Sequence, residues 1–332
     1  MKSMSLIFLL LLAACSPAPT ATVAVDTAPP PTFAAPSRLD SIPTGAAKLG
    51  PAEDAWPPVV ASGLSQPQPL GGSVNTAGAE DSPFLTPDGL TLYFVFLPDP
   101  AVPPEQQLFD GVSGIWASQR SGDGWSEPVR IRLAEPNELT LDGCPTVLDD
   151  QLWFCSARQG NFRDVDLWIA TGDAGAWTGW QNAGQQLNAD YQVGELHFSA
   201  DGQTMVFSST RPGGLGGRDL WLTAREGEGW SQPVNLGAPL NTAGDENRPY
   251  LSPDGSVLYY DGPSQLGYPG PAIFRSTRQP DGSWSQPEEL ISQFAGEPTL
   301  SADGHTLYFV HAYFAADLSR MLESDIYVVE IP

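Results

Sequence analysis

The chain has 332 residues, including 34 Gly and 33 Pro, is 41% hydrophobic, and sets 39 acidic against 15 basic side chains for a formal charge of -24. So much Gly and Pro excludes a helical bundle, because both weaken helix interiors, while ten Trp, nine Tyr and fourteen Phe exclude wholesale disorder. The acidic balance argues against nucleic acid and anionic lipid as partners, since both need Lys and Arg against their phosphates, and leaves room for a cationic, neutral or divalent-metal ligand.

At the N-terminus, Lys2 precedes the apolar run Leu6 to Leu12, which is too short to span a bilayer and predicts a cleaved signal peptide over residues 1–14. The residues Leu12-Ala13-Ala14-Cys15 resemble the bacterial lipoprotein signal. That resemblance implies acylation of Cys15, an extracytoplasmic, lipid-anchored protein, and, with Ser16 in place of Asp, the outer membrane if the cell is Gram-negative. Membrane contact would then run only through the lipid. Residues 15–50 carry repeated prolines and no apolar periodicity, so they predict a tether.

From residue 51 to 332 one unit recurs five times. Its head reads SPFLTPDGLTLYF from Ser82, CPTVLDDQLWF from Cys144, ELHFSADGQTMVF from Glu195, RPYLSPDGSVLYY from Arg248 and EPTLSADGHTLYF from Glu297. A second phrase follows each head (SGIWAS, VDLWIA, RDLWLT, PAIFRS, SDIYVV), and a tryptophan phrase follows in the first four copies. Alternating apolar runs around an Asp-Gly turn, then two further runs, predict a four-stranded antiparallel blade. Five copies end to end predict an all-β fold, a five-bladed β-propeller in one domain. The last copy ends without a tryptophan strand, and the upstream stretch beginning at Trp56 matches the connection that begins at Trp230. Trp56 to Ala61 is therefore expected to supply the missing outer strand and close the ring, which also pairs an otherwise exposed edge.

These phrases resemble the WD40-like β-propeller repeats of the TolB-like family over residues 56–332. The resemblance implies a cell-envelope propeller that binds or scaffolds, and it names no ligand.

In the second copy the turn is two residues shorter, at Asp149-Asp150, and counting back from it sets Cys144 opposite Cys155. Opposed strand residues lie near disulfide range, so a Cys144–Cys155 bridge is predicted.

Strand direction gathers the connections between blades, and those between second and third strands, at one face. Asp81, Glu195, Glu246, Arg248 and Glu297 are the candidate ligand-binding residues there, with an envelope protein or polysaccharide as the expected partner. Glu195, Arg248 and Glu297 share one repeat position, where the other copies have Ser82 and Cys144. Arg158, Arg211, Asp166 and Asp219 recur between copies and are expected to pair within their blades. The competing class is a carbohydrate-active enzyme, glycosidase or lyase, using Glu195 and Glu297 as axial carboxylates. No Gly-x-Ser-x-Gly occurs, no His/Cys cluster has zinc spacing, and His197, His305 and His311 lie in or beside strands. No cofactor or metal site is expected, apart from calcium by rim oxygens as an open option. A closed ring satisfies its own strands, so a monomer is expected.

Overall fold

The structure, a computed structural model, describes residues 37–332 except 108–110, 123, 136–137, 174–175 and 189–192, so the predicted signal peptide and Cys15 lie outside the described residues. Among the described residues no helix is long and apolar enough to cross a membrane.

Nearly all regular structure is strand. Helix α1 (Arg38–Ser41) and the short strands β1 (Val59–Val60) and β2 (Gln68–Pro69) precede the repeats. The first copy forms β3 (Ala79–Leu85), β4 (Thr91–Leu97) and β5 (Gly114–Ser121), edged by β6 (Gly124–Trp125) and β7 (Val129–Arg130). The second forms β8 (Leu141–Leu148), β9 (Gln151–Ala157), β10 (Asp166–Asp173) and β11 (Ala176–Asn182), and helix α2 (Gln185–Asn188) leads out of it. The third forms β12 (Val193–Phe198), β13 (Thr204–Ser209) and β14 (Asp219–Glu226), edged by β15 (Gly229–Trp230) and β16 (Val234–Asn235). The fourth comprises β17 (Asn247–Leu251), β18 (Val257–Pro263), β19 (Pro271–Thr277) and β20 (Glu288–Ser292). The fifth comprises β21 (Ala295–Leu300), β22 (Thr306–Phe314) and β23 (Met321–Glu330).

Within each copy the strands form an antiparallel meander, as the alternation predicts. The second strand of each copy lies between two others and is packed on both faces, which is why it reads as an almost unbroken apolar run. Phe94, Phe154, Phe207 and Phe309, at one repeat position, are all fully buried. The first strands pack on one another in the order β3, β8, β12, β17, β21, and β21 in turn packs on β3.

An asparagine in the connection between copies repeats one device. Asn188 accepts from Leu167 N at 2.8 Å and donates to Leu167 O, and Asn241 does the same with Leu220. Asn75, ahead of the first copy, accepts from Ile326 N at 3.0 Å and donates to Ile326 O, in the last strand of the chain.

The expected closing strand needs correction. Val59–Val60 pairs with β20 of the fourth copy, whereas Gln68–Pro69 pairs with β23. Trp56 still touches the fifth copy, donating from its indole to Ala315 O at 3.1 Å, but from a loop. Aligning on the tryptophan misplaced the strand. The ungapped match sets Gly63-Leu64-Ser65-Gln66-Pro67 on Gly229-Trp230-Ser231-Gln232-Pro233, with Leu64 where the tryptophan would be, Gln68–Pro69 on β16 and Asn75 on Asn241.

The expected tether over residues 15–50 lies within the described residues only from residue 37, and part of that stretch packs on the strands. Arg38 is 3% exposed and donates to Val74 O, and Lys48 pairs with Glu323 and Asp325 at 2.5 Å each, so residues 38–49 form an arm held on the strands by its two cations. Periodicity could not reveal this, because the arm contributes isolated side chains and no strand.

The Cys144–Cys155 disulfide is present, with Cα atoms 5.3 Å apart. Its register differs from the expected one: Gly143 stands opposite Cys155, and Cys144 lies in a bulge.

Replacing Asn241 or Asn75 by Ala leaves a backbone N–H and C=O of the clamped strand without partners, and each variant is expected to lose about 1–3 kcal/mol in urea unfolding. An unchanged midpoint for Asn75→Ala would show that the last strand is held by other means.

Candidate functional site

The site is built on a backbone irregularity shared by all five first strands. Each ladder slips once, between Asp81 and Phe84, Gly143 and Thr146, Val193 and Leu196, Asn247 and Tyr250, and Gly296 and Thr299. A bulge re-aims the side chain it carries. The residues in the slips include Ser82, Cys144, Glu195, Arg248 and Glu297, and all five line one cavity. Pro83, Pro145, Pro249 and Pro298 follow four of them, and a proline has no N–H for a ladder, so a bulge is where a strand accepts one. Those same four hold positive φ, from 47° at Ser82 to 60° at Glu297, a region that costs a non-glycine residue energy.

Arg248 occupies the middle of this array. Its Nε contacts Glu297 Oε1 and lies 3.5 Å from Glu195 Oε1, while Nη1 lies 3.2 Å from Asp261 Oδ2. The other Glu297 oxygen accepts from Ser82 N, and Asp261 accepts from Glu297 N at 3.0 Å. Asp81 adds a fourth acid beside Glu297 and Arg248. Although burial lowers the Arg248 pKa, Glu297, Asp261, Glu195 and Asp81 raise it well above the ordinary value. Burial pushes Glu297 and Asp261 up, and Arg248 opposes this in both.

The cavity beside this cluster holds about 40 Å³, room for one or a few waters, whereas ligand pockets run to roughly 300–1,000 Å³. A cavity of about 630 Å³ lies past the layer of Phe84, Thr146, His197 and Tyr250, on the side of the Asp-Gly turns, lined largely by apolar residues such as Leu85, Phe198 and Leu251. His197 borders both cavities; its Nδ1 accepts from Leu251 N at 3.2 Å, and burial lowers its pKa to about 4, so the ring is neutral.

The structure thus brings together Asp81, Glu195, Arg248 and Glu297 but not Glu246. Glu246 is 1% exposed, accepts from Thr242 N and Oγ1, and borders a separate crevice with Tyr260 and Phe274. The recurring residues serve their own blades. Arg158 pairs with Asp142 at 2.7 Å; Asp166 accepts from Phe162 N and Asn182, and Asp219 from Leu215 N and Asn235. Arg211 lies over the Phe207 and Trp221 rings. His311 bonds Asp54 at 2.7 Å, both buried. Among the described residues no group of three or more His, Cys, Asp or Glu could hold a metal ion.

Sequence reasoning missed Asp261. Its repeat position holds Val95, Cys155, Ser208 and Val310 in the other copies, so a lone acid on an otherwise apolar or small position was the available signal.

These pKa directions set a pH dependence. Carboxyls raised in the folded state contribute stability below their unfolded pKa and lose it as pH rises through the folded one. Glu297 and Asp261 are raised, and burial also pushes Glu80 up to about 8 and Asp325 up to about 7. Thermal stability is therefore expected to fall from pH 5 to pH 8.5. Arg248→Met leaves the acids uncompensated and should cost about 3 kcal/mol at pH 8, the low end for a buried pair because Arg248 is a third exposed, and less at pH 5. Equal losses at both pH values would show that the acids are not held by the arginine.

No family model matches the chain, and no curated protein does. Solved structures do. A thermostable family-43 glycoside hydrolase matches at 12% identity and TM-score 0.51, over 78% of this chain and 91% of that one. The GH43B of a Bacteroides ovatus xyloglucan locus matches at 14% identity and TM-score 0.50, over 77% and 53%. TolB from Acinetobacter baumannii matches at 13% identity and TM-score 0.43, over 76% of this chain, which spans only 55% of that protein. At these identities the likeness shows the fold alone: an all-β chain whose neighbours are propellers.

Proposed function

We propose that the chain is a five-bladed β-propeller, closed where Gln68–Pro69 pairs with β23, that works as a lipid-anchored, extracytoplasmic binding or scaffolding module. Its ligand face is the one that carries Asp81, Glu195, Arg248 and Glu297, and its partner is an envelope protein or a polysaccharide. Closure is supported by the packing of β21 on β3 and by the Asn75 clamp on Ile326, which repeats between the ends of the chain what Asn188 and Asn241 do between neighbouring copies. The TolB-like repeat and the lipoprotein signal ending at Cys15 support the envelope setting.

One observation carries binding over catalysis. Glycoside hydrolysis needs two carboxylates with a scissile bond between them. Here the Nε of Arg248 contacts both Glu195 and Glu297, so a guanidinium fills that space, and the adjoining cavity has no room for a sugar ring. A ligand at this face meets a charged surface and not a deep pocket, which suits an extended partner.

Purified protein is expected to show no turnover on a panel of aryl glycosides and envelope polysaccharides. Activity that disappears in Glu195→Gln or Glu297→Gln would establish the enzyme reading instead. Cys15→Ala is expected to move the protein from the membrane to the soluble fraction, as checked by fractionation and fatty-acid labelling.

A further inference from the structure

The second and third copies each hold an arginine over two aromatic rings at the end of their second strand. Arg158 lies 5.1 Å from the Phe154 ring centre and 4.8 Å from Trp168; Arg211 lies 4.8 Å from Phe207 and 5.3 Å from Trp221. The first copy has the same socket, Phe94 and Trp116 with Phe96 added, but Pro98 stands where the arginine should be. Its guanidinium comes from the arm. Arg38 sits 5.3 Å from Phe94 and Phe96 and 5.5 Å from Trp116, donates to Val74 O at 2.9 Å and Ser73 O at 2.5 Å, and pairs with Glu80 at 3.3 Å. Glu80 holds the repeat position of Asp142, the partner of Arg158.

The cation in this socket lacks the Nε bond that it has in the other two copies. In the second and third copies the arginine Nε donates to a serine, Ser156 at 2.7 Å and Ser209 at 3.5 Å. Phe96 replaces that serine in the first copy, and the Nε of Arg38 is buried without an acceptor, which costs desolvation with no bond in return. Among the described residues, apart from Arg38, Lys48 and the Leu49 N–H that donates to Glu323, the arm packs Ile42 and Leu49 against the strands, and residues 43–47 are exposed. A segment with so few buried contacts opens more readily than the sheets beneath it.

We propose that the socket of Glu80, Phe94, Phe96 and Trp116 is a guanidinium-binding site, filled in the resting chain by Arg38, and that an arginine-bearing segment of a partner protein enters it by displacing the arm. The planar cation suits three ring faces, two carbonyls and a carboxylate, as an ammonium does not. The outgoing Arg38 acts as a tethered competitor, so the partner's apparent affinity is reduced by the fraction of time the arm is seated. This site is separate from the Arg248 cluster, and it stands or falls independently of the ligand proposed for that cluster.

The test uses the full-length protein. Arg38→Ala is expected to lower Tm, and ethylguanidinium to restore several degrees of it with half-saturation at about millimolar concentration, as suits so small a ligand, while n-propylammonium does not. Wild type should not respond, and Arg38→Ala with Glu80→Gln should lose the response. If alanine prevents folding, Arg38→Lys serves, with the same ordering of the two cations expected. In wild type, acetyl-Gly-Arg-Gly-amide at saturation is expected to speed hydrogen exchange across residues 38–49. Equal effects of the two cations, or none, would overturn guanidinium recognition. Rescue of the variant with no change in arm exchange would overturn displacement.

Discussion

Carboxylates that converge at the strand ends must each be met by a cation or an N–H, and Arg248 does this where the demand is greatest. Glu195 from the third copy, Asp261 from the fourth, Glu297 from the fifth and Asp81 from the first all face its guanidinium. A charge of -24 spread over a surface is tolerable in water; four acids gathered over a cavity of about 40 Å³ are not, unless they are neutralised or protonated. The bulges bear the same cost in the backbone. Positive φ at Ser82, Cys144, Arg248 and Glu297 turns these side chains towards one another, so the strain and the charge cluster are one arrangement.

Away from this cluster the same requirement is met with cations from within the copy or from outside it. Arg158 pairs with Asp142 inside the second copy. The first, fourth and last copies lack a basic residue at that position, having Pro98, Ser264 and Tyr313, and the first and last draw Arg38 and Lys48 from the arm. Lys48 is one of only two lysines in the chain, and it is used against two buried acids, Glu323 and Asp325. The arm is thus the electrostatic completion of the two copies that meet where the chain begins and ends. Between the third and fourth copies glycine answers a steric demand: a Cβ on Gly216 would lie 2.0 Å from Gly244 O, so that loop can seat against the next connection only without a side chain.

The candidate site was partly legible because duplication makes departures visible. Glu195, Arg248 and Glu297 stood out against Ser82 and Cys144 at one position, and the structure brings them into contact. Glu246 lies apart from them: with Glu80 it keeps a repeated role, each accepting from a threonine four residues earlier. Asp261 was overlooked because it lies inside a strand phrase whose apolar pattern drew attention to its neighbours and not to the exception.

The sequence by itself determined the strands, their grouping into five copies, the turns and the Cys144–Cys155 bridge, because period-two alternation and punctuation by Gly and Pro are local properties repeated often enough to be read. Tertiary structure alone decided which upstream segment pairs with β23, that Arg38 and Lys48 sit among buried acids, and that one arginine fills the space between Glu195 and Glu297. Those contacts join residues up to 277 positions apart, and their energies depend on burial and on the geometry of charge, which no local pattern encodes.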